Sequence, residues 1–224
     1  MKRIVLLATI CLLAGSSICH AQLSREQMKE RKELKKASKK ELQEKATKEA
    51  RKEAKNLTKQ GWQAVPGALP VEKQLDKSYL MQMEYDADGY PKYIMGEAMS
   101  IGENYDAAKV QALELAKLKL AGEIQTEVTA LAKNSVDNKQ LSAEEAASVT
   151  ETIMANQNLI SQSIGRTVIV MELFRTLPNK NKEVLVRIAY NGDMAKEAAK
   201  KTIREKLENK SEELHEKLDK VMGW

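Results

Sequence analysis

Cysteine, histidine and aromatic residues are all scarce in this chain of 224 residues, which has two Cys, two His, one Phe, two Trp and six Tyr. Both cysteines, Cys11 and Cys19, and one of the histidines, His20, fall in the first 21 residues, a stretch that reads as a leader. A chain that loses them has no disulfide framework, no thiolate metal site and no Cys nucleophile. The remaining His215 stands alone between Glu213 and Lys217. One imidazole excludes a His-based metal centre, a Ser-His-Asp triad and a histidine general base, each of which needs a second converging group. No GxGxxG, Walker, HExxH or EF-hand spacing occurs. Too few rings are present for a sugar-stacking cleft or a single-strand nucleic-acid platform. The expectation is no catalytic residue, no metal, no cofactor and no nucleic-acid partner.

What is present begins at the leader. Lys2 and Arg3 precede an apolar run from Ile4 to Gly15, and Cys19-His20-Ala21 offers a small-residue cleavage site between Ala21 and Gln22. The run is too short to span a bilayer, and no later stretch approaches the required length of about 20 apolar residues. Cys19 is preceded by Ile18, with Ser16 where a lipid-attachment motif wants Leu, so a lipid anchor is not expected. These features predict an exported protein, periplasmic or envelope-associated and not cytoplasmic.

Charge is unevenly distributed. Residues 24–59 carry 14 Lys or Arg against 7 Glu, whereas residues 60–224 are mildly acidic. The basic segment has no Pro or Gly, is rich in strong helix formers and opens with Ser24 three residues before Gln27, as a capping box would. It predicts one long basic helical arm over residues 22–59, about 50 Å in length at 1.5 Å per residue. Its apolar stripe (Met28, Leu34, Leu42, Ala46, Ala50, Ala54, Leu57) is narrow, and Glu41–Lys45 and Glu44–Lys48 supply i,i+4 support. The arm is read as a solvated helix or loose coiled-coil strand, with a cationic surface for an anionic lipid, glycan or partner as the functional reading.

Gly61 ends the arm, and Trp62 and Val65 in the turn-rich connector are expected to cap the core. Pro70 can start a helix bearing Val71, Leu75, Tyr79 or Leu80, and Met83 on one face. A strand over Tyr93–Ile101 follows. The longest helix is predicted over residues 105–134 from Val110, Leu113, Leu120, Ile124, Val128 and Leu131, with alanines permitting close packing. Ser142 starts another helix that runs to Gly165. Two β-rich runs, Thr167–Thr176 and Glu183–Tyr190, are joined as a hairpin by LPNKNK. The final helix shows a coiled-coil seam at Leu207, Ser211, Leu214, Leu218 and Val221. It and the basic arm are candidates to pack together, within one chain or in a homo-oligomer.

Two places invite a site. Asp86 and Asp88 beside Gly89 lack the further ligands of a calcium loop and read as an Asp-Gly turn. Gly96 and Glu97 lie within the strand YIMGEAMS, where Gly96 marks a close backbone approach or bulge and Glu97 an exposed position opposite a basic residue such as Arg187. A ligand groove near Gly96 and Glu97 is the alternative.

The strand Tyr93–Ser100, the alanine-rich helix DAAKVQALELAKLKLAGEI, a second helix and the hairpin ending in VLVRIAY together resemble the LPP20-type envelope lipoprotein domain over residues 93–190. The resemblance implies a small antiparallel sheet backed by helices, and an envelope-associated structural or interaction role. The chain departs from that family in lacking the lipidated cysteine and in carrying the basic arm.

Together these features predict an α+β fold, with about three antiparallel strands packed by two long helices and flanked by N- and C-terminal helices. The expected organisation is a leader (1–21), the basic arm (22–59), an α+β core (60–192) and an amphipathic C-terminal helix (193–224). The expected function is a non-enzymatic, exported interaction or structural module that meets a protein partner or envelope surface. The alternatives are a holdase-like chaperone or scaffold using the basic arm, and a small-ligand carrier or hydrolase at Gly96 and Glu97.

Overall fold

The computed structural model describes residues 25–86, 89, 91–206, 216, 217 and 219. The expected leader, with its cleavage site at Ala21 and Gln22, lies outside these residues, as do Asp88, His215 and the seam residues Leu207, Ser211, Leu214, Leu218 and Val221. The chain divides into two compact units, residues 1–45 and 46–224.

In the first unit the described structure is one helix, α1 (Arg25–Gln43). The single long helix expected over the basic segment is therefore two helices, because the chain breaks at residues 44–47 and α2 (Lys48–Lys59) begins anew in the second unit. The break has a local cause. The Thr47 hydroxyl accepts from the Ala50 N–H as an N-cap, while its own N–H and Oγ1 both donate to Asp76 Oδ1, at 3.0 and 2.7 Å. Ala46, Ala50 and Ala54 are buried, so the narrow alanine stripe is a packing face. Gly61, at φ 89°, ends α2 in the left-handed conformation expected of a helix-terminating glycine.

The second unit is α+β. It continues with β1 (Gln63–Ala64), α3 (Val71–Gln82), β2 (Tyr93–Gly102), α4 (Tyr105–Asp137), α5 (Ala143–Ala155), α6 (Gln157–Ser163), β3 (Val168–Thr176), β4 (Lys182–Asn191) and α7 (Gly192–Lys206). The antiparallel sheet has the order β1-β3-β4-β2, so the two-residue β1 adds a fourth, edge strand to the three expected. β1 is too short to leave a period-2 signal.

Alternation along β4 splits the core in two. Val184, Val186, Ile188 and Tyr190 face the layer formed by α4, α5, α6 and α7, whereas Leu185 faces α2, α3 and Trp62. Trp62 is buried as expected and carries the Arg175 guanidinium 4.7 Å from its ring centroid. On α3, Val71 and Leu75 are buried and Tyr79 packs on them, while Leu80 and Met83 face solvent.

On α4 the buried stripe is Ala108, Ala112, Ala116, Leu120, Ile124, Val128 and Ala132, and Val110, expected in the core, points outward. The reason lies in β2, whose α4-facing positions are Ile94, Gly96, Ala98, Ser100 and Gly102. Small residues on both elements let the backbones approach closely, and the bulkier Val110 is turned away. Ser142 and Glu145 form the capping box that opens α5. The helix expected to run on to Gly165 breaks at Asn156, whose side-chain Nδ2 donates to the Thr152 carbonyl at 2.7 Å.

Candidate functional site

Gly96 and Glu97 are adjacent on β2 and therefore point to opposite faces of the sheet. Gly96 pairs with Ile188 and faces α4, where a Cβ would press into the Ala116 carbonyl oxygen and stand 3.0 Å from the Leu120 Cβ. The glycine is thus a close approach of helix to strand, and its open side is filled by protein.

Glu97 pairs with Arg187 in register. Its Oε2 accepts from Arg187 Nε at 2.7 Å and lies 2.5 Å from Nη2, while Arg187 Nη1 donates to the Ser78 hydroxyl of α3 at 2.8 Å. The guanidinium ties β4, β2 and α3 together, and the carboxylate is held by it rather than presented to a ligand. The groove expected near Gly96 and Glu97 is not formed by this pair, because α4 fills the glycine's side of the strand and Arg187 engages the carboxylate.

A second, partly buried ionic cluster joins α4 to β3. Tyr105 donates to the Glu172 carboxylate, Lys109 Nζ lies 2.7 Å from the same oxygen, and burial pushes the Glu172 carboxyl up from its ordinary value. Tyr105 also meets Phe174 edge-on at 5.7 Å. Every member of this cluster is engaged with another, so it reads as a clamp between helix and sheet.

Two surfaces offer more to a partner. A cavity of about 190 Å³ opens between α4, the start of β2 and α7, with Ile124, Val128, Leu131 and Ala195 as its apolar walls and Glu127 and Lys196 among its polar ones. The Glu127 carboxyl is pushed up by burial and then by Glu123, against the opposing pull of Lys196. Composition alone could not find this cavity, because its walls come from segments about 70 residues apart in sequence.

The other surface is α1. Arg25, Lys29, Lys32, Lys36 and Lys39 follow the 4-3-4-3 spacing that keeps residues on one side of a helix, with Lys35 and Lys40 beside them, and all are exposed. At 1.5 Å per residue the helix is about 28 Å long. No helix among the described residues is long and apolar enough to cross a membrane. No protein-family model, no curated protein and no solved structure matches this chain.

Proposed function

We propose that the chain is an exported, non-enzymatic protein of the cell envelope that works as an interaction module, with α1 as a cationic contact helix for an anionic surface. The observation that carries this reading is the one-sided ridge of cations on α1. Such a ridge lays several charges against a phosphate-bearing surface at once, each contributing about 1 kcal/mol at an anionic lipid boundary. The same helix has only Met28, Leu34 and Leu42 as apolar residues larger than alanine, so its contact is electrostatic and not insertive. The Lys2-Arg3 leader supports export. The order of strand, alanine-rich helix, second helix and hairpin supports kinship with the LPP20-type envelope domains.

The test is co-sedimentation of the mature chain with vesicles, either of neutral phospholipid or containing anionic phospholipid, at low and high salt. Binding to the anionic vesicles alone, weakened at least tenfold by Lys32→Glu with Lys36→Glu, agrees with the proposal; equal binding by the variant removes α1 from it. N-terminal sequencing of protein recovered from the envelope fraction should begin at Gln22.

A second reading, small-ligand carriage, draws on the cavity beside Glu127. Thermal shift with small alkylammonium ions, measured on the wild type and on Glu127→Gln, tests it; an identical response of the two chains rejects it.

A further inference from the structure

The two edges of the sheet are treated differently. At the β3 edge, β1 pairs with Leu173 and Phe174, and beyond it the outward Glu172 N–H donates to the buried Gln74 side chain at 2.7 Å. Gln74 is held in turn by the Leu69 carbonyl, which accepts from its Nε2 at 2.6 Å. From Glu172 to Phe174 that edge is covered.

The other edge is β2. The Gly192 N–H donates to the Lys92 carbonyl at 2.9 Å, and Tyr93 pairs with Asn191. In an antiparallel ladder this fixes the alternation. Ile94, Gly96, Ala98 and Ser100 direct their backbone groups at β4, and Met95, Glu97, Met99 and Ile101 direct theirs outward. Among the described residues no strand pairs along this side. The start of β2 is occupied by the preceding turn, in which Tyr85 bridges Pro91 and the Lys92 N–H reaches the Glu84 carbonyl, so the open stretch runs from Met95 to Ile101.

Exposed edges are ordinarily blunted by Lys, Pro or a bulge. This one has none of them. Its only charge, on Glu97, is already matched by Arg187, and Met99 and Ile101 are 54% and 51% exposed. On the other face of the sheet, Gln111 of α4 accepts from the Ser100 hydroxyl, and one turn further along that flank Leu115 is 38% exposed. Apolar groups therefore border the edge above and below.

We propose that β2 is the interface of a two-fold dimer, in which the β2 strands of two copies pair antiparallel about Ala98 and continue the sheet. Ala98 is the midpoint of the open stretch, and this register sets Met95 opposite Ile101 and Glu97 opposite Met99 of the second copy, each pair exchanging backbone hydrogen bonds. A shift of the axis to Glu97 would set two carboxylates face to face, which cross-strand pairing disfavours. The second copy fits because the strand complements itself: apolar meets apolar, and the one carboxylate meets a thioether. An axis normal to the sheet places both α4 helices on one face, so their Leu115 flanks converge.

The experiment is sedimentation equilibrium of the mature chain from micromolar to near-millimolar concentration, for the wild type, Met99→Glu and Met99→Lys. In this register Glu at 99 faces Glu97 of the second copy and weakens the dimer at least tenfold, whereas Lys at 99 meets that carboxylate and preserves it. A wild type that stays monomeric, a Met99→Glu chain that still dimerises, or a Met99→Lys chain that falls apart each overturns the proposal. Hydrogen exchange on the wild type gives a readout independent of any variant: the amides of Met95, Glu97, Met99 and Ile101 should be protected at high concentration and lose protection on dilution. Protection that does not change with concentration also overturns it. Vesicle binding through α1 is a separate measurement, so failure of one proposal leaves the other standing.

Discussion

Gly96 lies directly beneath Ala116, with no room between strand and helix for a methyl group at position 96. The small-on-small contact recurs one strand-end away, where a Cβ at Gly102 would stand 2.7 Å from the Ala108 backbone nitrogen. Two glycines on β2 and an alanine stripe on α4 therefore set the distance between helix and sheet. Gly96→Ala must push α4 outward against a close-packed core, at a cost of about 2–3 kcal/mol. Urea denaturation measures it, and a Gly96→Ala chain as stable as the wild type would show that the contact is looser than its geometry.

The neighbouring residue makes a different prediction. Glu97, Arg187 and Ser78 join three elements, and the Arg187 side chain is only 18% exposed while that of Glu97 is 42% exposed. Solvent on the carboxylate side moderates the pair, so a double-mutant cycle of Glu97→Ala and Arg187→Met should return a coupling of about 1–2 kcal/mol. Coupling near zero would mean that the ion pair contributes nothing beyond its separate parts.

The three main strands were legible because β2, β3 and β4 are rich in β-branched and aliphatic residues and are bounded by turn residues. The start of α5 at Ser142 was legible for a similar reason, since an N-cap residue and the acidic first turn that follows it act within four residues. The role of residues 46–59 was not. Their buried face is Ala46, Ala50 and Ala54, and alanine carries too little hydropathy to separate a packed helix from a solvated one. Thr47 looked like a mid-helix residue until Asp76, 29 positions away, gave it a cap. The pairing of Glu97 with Arg187 was readable as an ordinary cross-strand match. The cavity beside Glu127 and the open edge of β2 depend on tertiary placement and strand order, which no local pattern encodes.

The position of that break predicts where the chain can be shortened. Deleting residues 22–45 removes α1 and leaves the second unit intact. Extending the deletion to Lys59 strips α2 from Trp62, Leu75 and Met171, which form one cluster with its alanines. The shorter deletion should melt within a few degrees of the wild type. The longer one should lose several degrees and shift Trp62 fluorescence to the red as the ring meets water. Equal melting of the two truncated chains would place α2 outside the core.

Acid provides the last test, through the start of α5. The Ser142 backbone N–H donates to the Glu145 carboxylate at 2.7 Å and Lys217 lies 3.1 Å from it; these two, the hydrogen bond first, hold the Glu145 carboxyl below its ordinary value. The folded chain therefore binds this proton less readily than the unfolded chain. Its stabilising contribution is complete above the ordinary glutamate value and is lost as pH falls through the lowered one. Ser142→Ala, which removes the cap hydroxyl, should cost about 1 kcal/mol at pH 7. Glu145→Gln keeps an acceptor for the Ser142 N–H but loses the charge, so it should be less stable than the wild type at pH 7 and approach it near pH 3. Urea titrations at both values measure the gap, and a gap that stays constant with pH would remove ionised Glu145 from the stability of this helix.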